Sequence, residues 1–461
     1  MEKSPRTRLN IVLLYANKQK ITNPLSFDTL SLSKGGEGRV SRYHIEDSTT
    51  FKTKALYWAN QFNTACFLDS NGYADPYSAF DVLIAAGARH ELTANSGCAL
   101  EQLHQFLKHH PHTFIPGYFS YDLKNEIEPL QSKNKDGLQF PDLYFFVPKH
   151  LITIIGQEVK IDSEEPDIIW NVINEIKLPH DLGIHFTGKV RSRFTYHEYK
   201  ENFDKLKEHI RRGDIYEINF CQEFFADHAK INPVNAFREL NSISPTPFAN
   251  FFKNGYQYII SATPERFLSK RGNKLISQPI KGTAKRSADR VADDLAKHQL
   301  RHDPKELSEN VMIVDLVRND LAKSAQKGSV QVEELFGIYS FKQVHQMIST
   351  VVCQVADHLS ATAIIRNTFP MGSMTGAPKI SAMELIEKHE RTKRGIYSGS
   401  VGYFSANGDF DFNVIIRTLL YDAETSYLSF QVGSAITFNA DAEQEYVECI
   451  LKAQAIIQLL S

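Results

Sequence analysis

Glu265, Lys281, Glu309, His345 and Glu448 are the side chains whose type and spacing invite chemistry. Glu265 follows a proline in "SATPERF", at the end of an apolar run, where a carboxyl serves either a turn or general-acid catalysis. Lys281 sits in "QPIKGTAKR", between Pro279 and Gly282. A lysine is ordinarily a solvated cation, and it becomes a nucleophile only after losing a proton. That takes desolvation or nearby positive charge, which Lys285, Arg286 and Arg290 could supply. In "SENVMIVDLVRNDL", Glu309 shares a helix face with Ile313 and Leu316, and the helix is apolar nearly all round. A carboxylate placed there is paired, metal-bound, or held at a helix start by the macrodipole. Glu445, Glu448 and Lys452 fall on one side of a second helix, where Glu448 and Lys452 read equally as an exposed i,i+4 pair. One carboxylate from each helix would suffice for Mg²⁺, which prefers oxygen ligands and keeps several waters.

Two further stretches are ambiguous by themselves. In "FPMGSMTGAPKISAMELIEKHE", Gly372 and Gly376 bracket a Ser/Thr-rich turn that feeds a helix, so backbone N–H groups are offered to a carboxylate or phosphate. The P-loop spacing is absent, and a plain helix cap explains the pattern equally well. His345, in "KQVHQMIST", lies within an apolar strand-like run, as a packed core histidine does.

The elements that must position these groups follow from periodicity. Residues 50–160 alternate short apolar runs with turn residues, as in "TACFLDSNGYADPYSAFDVLIAAG", and read as strand-rich. An acidic helical segment follows, and a boundary near residue 185 divides a region 1–185 from a region 186–461. Tyr199, Phe203, Leu206 and Ile210 form a helical stripe that ends at Gly213. "IYEINFCQEFFA" alternates as a strand, and the mixture of strands and helices predicts an α+β fold.

With 461 residues, 42% hydrophobic and 23% charged, the chain can bury a large core. A formal net charge of -2 and scattered basic residues give no field for nucleic acid. Cys66, Cys98, Cys221, Cys353 and Cys449 never form CxxC, which excludes a zinc ribbon and a disulfide scaffold. The run "IVLLY" is too short for a signal sequence and no stretch would span a bilayer, so a cytoplasmic protein with no membrane partner is expected.

Taken in order, "GDIYEINFCQEF", "SATPERF", "PIKGTAKR", "SENVMIVDLVRNDL", "QVHQMIST", "GSMTGAPKISAMELIE", "GSVGYFSANGDFDFNVIIRTL" and "EQEYVECILKA" resemble the chorismate-utilising enzymes, which include anthranilate synthase and aminodeoxychorismate synthase component I. The resemblance implies that family's fold, antiparallel sheets packed as a sandwich and flanked by helices. Anthranilate synthases typically carry Ala after "PI" and many aminodeoxychorismate synthases carry Lys, so Lys281 points to amination of chorismate at C4 on the way to 4-aminobenzoate and folate. Position by position, the resemblance makes Glu309 and Glu448 ligands of Mg²⁺, Glu265 the acid for the departing 4-hydroxyl, and Lys281 the nucleophile at C2. It places His345 near the ring, and Tyr403, Arg417, Thr375, Gly376, Gly433, Ser434, Ala435 and Lys452 around the substrate. Anthranilate synthesis is the alternative activity, and a catalytically silent chorismate-binding subunit is a third.

Two positions depart from the family pattern. Glu217 stands where these synthases usually have Gln and isochorismate synthases a Lys base, and "VGSAIT" replaces a glycine-richer loop. No GxCxG motif is present, and Cys98 in "NSGCAL" reads as packing, so ammonia is expected from a separate glutamine amidotransferase subunit. The resemblance also implies a tryptophan pocket near "FLDS" in the N-terminal region.

Overall fold

The computed structural model describes residues 39–461, so the "IVLLY" run lies outside the described residues. Two long strands, β3 (Val82–Ala94) and β5 (Leu143–Ile155), pair along their length and form a spine. The sheet leaves this spine as two wings, and every strand pair is antiparallel. One wing runs from β3 through β2 (Thr64–Asp69), β9 (Ala249–Asn254), β10 (Gln257–Ser261), β19 (Thr418–Asp422), β20 (Tyr427–Ile436) and β8 (Glu217–Ala226). The short β7 (Arg191–Ser192) and β16 (Gly376–Ala377) attach to β8. The other wing runs from β5 through β4 (Ile115–Phe119), β17 (Ser400–Phe404), β18 (Phe410–Asn413), β11 (Arg266–Arg271), β12 (Lys274–Gln278) and β15 (Val344–Gln354). β13 (Ile280–Lys285) and β14 (Gln331–Ser340) pair with β15, while β6 (Glu158–Ser163) and β1 (Arg39–His44) extend β5.

The wings face one another across Cys66, Leu83, Ala85, Phe252 and Leu420 from the first and Tyr118, Val401 and Tyr403 from the second. Strand alternation sends the next residues outward to helices. On β20, for example, Leu428, Phe430 and Val432 join the outer core of the first wing. That face is covered by α1 (Ser48–Ala59), α4 (Pro166–Glu175), α6 (Pro233–Ile243) and α11 (Ala442–Leu459). On the second wing α2 (Ala99–His109), α8 (Pro304–Ala322) and α9 (Ala361–Thr368) do the same, and α3 (Lys124–Ile127) is a single turn. The sandwich flanked by helices is the α+β architecture expected from the sequence.

α5 (Tyr196–Arg212) and α10 (Lys379–His389) pack against β8. α5 buries the stripe Tyr199, Phe203, Leu206 and Ile210, begins on a Thr195–Glu198 capping box, and stops at Gly213 in the left-handed region. α7 (Arg290–His302) leads directly into α8. α8 is not apolar all round: Ile313, Val314, Val317 and Leu321 are buried and Leu316 is half-buried, while Asp315, Arg318 and Asn319 are exposed on the far side.

Residue 185 falls in an irregular stretch between α4 and β7, but it does not divide the molecule into separate units. β2 is hydrogen-bonded to β9 and β4 to β17, so strands from before and after that point alternate within one sheet. Their side chains fill common cores.

Candidate active site

Glu265 lies in the segment joining β10 to β11, 4% exposed. Its carbonyl accepts from the Val414 N–H at 3.0 Å, and its own N–H donates to Thr263 Oγ1 at 3.4 Å, so both sides of its backbone are tied down. Burial pushes its carboxyl up to about 7, opposed by hydrogen bonds from the Ser373 side chain and the Ile280 backbone and by the charges of Lys281 and Arg417. Those groups come from β13, the turn before β16, and the end of the β18–β19 connection. Burial lowers the Arg417 guanidinium and Glu265 supports it, so the two are electrostatic neighbours.

Lys281 is set by an irregularity in its strand. The register of β13 on β15 slips between Ile280 and Thr283, with Gly282 at φ +97. A bulge of this kind re-aims the side chain beside it, and glycine is the residue that tolerates the backbone angle. The Lys281 Nζ then donates to Glu217 Oε1 at 2.8 Å, at the first residue of β8 on the opposite wing. Although burial disfavours its charge, Glu217, Glu309 and Glu448 together hold the ammonium above its ordinary range. The Lys281 carbonyl accepts from Asn310 Nδ2 at 3.4 Å, which ties the bulge to α8.

Glu309, one residue before Asn310, is buried, and its Oε1 has no hydrogen-bond partner. Burial raises its carboxyl to about 7, against the pull of Lys281. Glu448 on α11 is paired with Lys452 at 2.7 Å; burial pushes it up, but Lys452, Lys305 and Lys281 hold it below the usual range. The two carboxylates expected to hold Mg²⁺ therefore both act on Lys281 from different helices. A buried carboxylate oxygen with no hydrogen bond, faced only by Lys305 Nζ at 3.9 Å, suits a hard cation that takes one or two carboxylates and completes its shell with water.

The remaining residues form the floor. Asn219 donates its N–H to the Thr375 carbonyl, and Gly376 and Ala377 pair with Ile218 and Glu217. A β-carbon on Gly376 would lie 2.1 Å from the Glu217 carbonyl, so glycine is required by close approach. Gly433, Ser434 and Ala435 form the regular end of β20 opposite Cys221, Phe220 and Asn219, and Lys452 Nζ donates to the Gly433 carbonyl at 3.1 Å. Ala435 is not among the residues with positive φ, so the departure "VGSAIT" leaves the strand intact. Lys379 braces the turn by donating to Asp320 and to the carbonyls of Thr368 and Pro370.

Two residues expected around the substrate are held by other contacts. Tyr403, expected beside Arg417, is stacked on Phe114 between the wings, and it lines a second cavity with Leu68, Asp69, Ser70, Phe248 and Arg266. Its outward neighbours on β17 occupy the opposite face, so strand alternation sends it into the sandwich. His345 is fully buried, with Nε2 2.9 Å from Asp293 of α7 and Nδ1 2.9 Å from Ser340 Oγ. Asp293 in turn accepts from Arg286, while Lys285 is exposed. Ser373 is a site residue that the sequence reading missed, and the only signal for it was its place in the glycine-bracketed turn.

A buried acid, a half-buried amine and one carboxylate from each of two helices, gathered where the antiparallel wings meet their helices, form the candidate active site. The chain belongs to the chorismate binding enzyme family, whose model matches residues 54–458. It is 33% identical over 377 residues to "Aminodeoxychorismate synthase component 1" of Klebsiella aerogenes, covering 78% of this chain and 82% of that one. It is likewise 33% identical over 362 residues to "Anthranilate synthase component 1" of Cereibacter sphaeroides, covering 74% and 72%. The crystal structure of anthranilate synthase component I from Streptococcus pneumoniae superposes with a TM-score of 0.71 at 26% identity, covering 81% of this chain and 91% of that one. The menaquinone-specific isochorismate synthase of Escherichia coli shares the fold, with a TM-score of 0.72 at 18% identity over 94% and 96% of the two chains.

Proposed function

We propose that this chain is an aminodeoxychorismate synthase component I, joining ammonia to C4 of chorismate with loss of water and retention of the enolpyruvyl ether. The observation that carries the reading is the amine of Lys281, half-buried on a bulge next to the acid Glu265. Chorismate is an allylic alcohol whose hydroxide is a poor leaving group. Glu265, held protonated near neutrality by burial, donates to the 4-hydroxyl as it departs as water. Lys281 attacks C2 with shift of both ring double bonds, and ammonia then enters at C4, shifts them back and expels the lysine. Arg417 and the Gly376 backbone bind substrate carboxylate, the Thr375 N–H being taken by the Gly372 carbonyl, with Lys452 and the Gly433–Ala435 strand completing the wall. Glu309 and Glu448 are the residues that would hold Mg²⁺, which when bound would offset the negative charge of the ring carboxylate.

Ammonia comes from a glutamine amidotransferase partner, and the product feeds 4-aminobenzoate and folate synthesis in the cytoplasm. Among the described residues no helix is long and apolar enough to cross a membrane. The second cavity, beside Asp69 and Ser70, is the candidate tryptophan pocket. The competing activity is anthranilate synthesis, favoured by equal identity to a relative of that name. Incubation with chorismate, Mg²⁺ and ammonium salt separates the two. The aminating reading expects 4-aminobenzoate only after a pyruvate-eliminating lyase is added. Anthranilate fluorescence without lyase, and no 4-aminobenzoate with it, would overturn that reading.

A further inference from the structure

We propose that Glu217 is the proton acceptor that frees the Lys281 amine for bond formation, so that the two work as one catalytic pair. The inference rests on the reading of Lys281 as nucleophile and adds the step that reading lacks. Lys281 donates to Glu217 at 2.8 Å, and this is its only ion pair among the described residues. The Glu217 side chain is 2% exposed, and its second oxygen, Oε2, is buried with no hydrogen-bond partner. A carboxylate retained only as a structural ion-pair partner would use both oxygens, because an unsatisfied buried oxygen is costly. Its backbone is pinned by the pairing of Glu217 with Ala377, so the carboxyl stays where the amine's proton must go.

The chemistry follows from burial. The acids around Lys281 keep its amine charged in the free protein. A ligand lying over the pair removes the remaining water, and that further desolvation shifts the balance toward a neutral amine and a neutral acid. The proton then moves along one existing hydrogen bond, from Nζ to the Glu217 carboxylate. The neutral amine forms the Nζ–C2 bond, both ring double bonds shift (C1=C2 to C1=C6 and C5=C6 to C4=C5), the C4–O bond breaks, and the proton of Glu265 leaves with the oxygen as water. When ammonia attacks C4, both double bonds shift back to C5=C6 and C1=C2, the C2–Nζ bond breaks with its electron pair returning to nitrogen, and the C4 ammonium returns a proton to Glu265. Lys281 then recovers its proton from Glu217. The net change is loss of one water and gain of one ammonia. A glutamine in its place would accept a hydrogen bond but no proton.

The test follows the chorismate-minus-water adduct on Lys281 by rapid quench and intact-mass spectrometry, with Mg²⁺ and without ammonia. Relative to wild type, Glu217→Gln is expected to slow adduct formation by about 100-fold, with chorismate affinity within about 3-fold, as loss of a general base does. Glu217→Asp recovers part of the rate, and in Glu217→Ala added formate restores adduct formation in proportion to its concentration. A wild-type adduct rate in Glu217→Gln, or a Glu217→Ala protein that folds and ignores formate, overturns the proposal. If wild type makes product with no adduct and Lys281→Ala keeps its rate, it is the nucleophile reading that fails, and the pairing step falls with it.

Discussion

Glu265 and Lys281 carry opposite burdens from the same burial. The carboxyl is pushed up to about 7, whereas the amine is kept charged by the acids around it despite its burial. For Glu265 the folded state binds the proton more tightly than the unfolded chain. Its contribution to stability is thus full at low pH and lost as pH rises through about 7, and its capacity as an acid disappears over the same interval. kcat/KM for chorismate is expected to fall above about pH 7, and Glu265→Gln to lose that limb together with about 100- to 10,000-fold in rate. Steady-state profiles of both proteins check this. Lys281→Ala is expected to abolish the covalent adduct, which intact mass reads directly; an unchanged product and rate would remove Lys281 from the mechanism.

At the scale of elements, α8 and β16 each fix a site residue by being unable to move. On α8 the buried side contains Asn310, which holds the Lys281 carbonyl, and Glu309 beside it. Glu309→Gln keeps the shape but removes the charge, and Mg²⁺ is expected to bind at least about 10-fold more weakly, as loss of one of two carboxylate ligands implies. Calorimetry with Mg²⁺ alone reads this without turnover, and an unaltered titration would withdraw Glu309 as a ligand. Gly376→Ala sets a β-carbon against the Glu217 carbonyl, so the β16–β8 pairing must open. The expected cost is about 1–3 kcal/mol in stability, as for overpacking, with loss of chorismate binding; urea denaturation and ligand titration measure the two separately.

Across the whole molecule, the two wings are locked by Arg266. Its guanidinium reaches Asp411 of β18 at 2.9 Å, Gln278 of β12 at 2.6 Å and Asp75 from the β2–β3 connection at 2.5 Å, with its own side chain 1% exposed. Removing it leaves Asp75 without its ion-pair partner, while Asp411 keeps Arg271 at 2.5 Å. Arg266→Met is expected to cost about 3–5 kcal/mol, and neutralising Asp75 in that background to recover part of it. Denaturant midpoints of the single and double variants decide whether the group acts as one network.

Much of this was legible in the sequence because it is local. The α5 stripe and its Gly213 stop, the alternation of β8, and the glycine-bracketed turn depend on residues a few positions apart, where periodicity and backbone sterics leave little choice. The acid, the amine and the two helix carboxylates were singled out by chemical type, and the family resemblance attached roles to them. Only the tertiary structure decided which of them meet. Glu217 and Lys281 are 64 positions apart and on different wings, so no spacing rule could pair them. The same long-range pairing of β2 with β9 and β4 with β17 dissolves the boundary near 185 into one sheet system. Tyr403 and Arg417 are closer in sequence, yet strand alternation sends the tyrosine into the sandwich and away from Glu265. Local patterns state what a segment can be, whereas contact between segments depends on how the wings close, and that is set by the packing of the whole core.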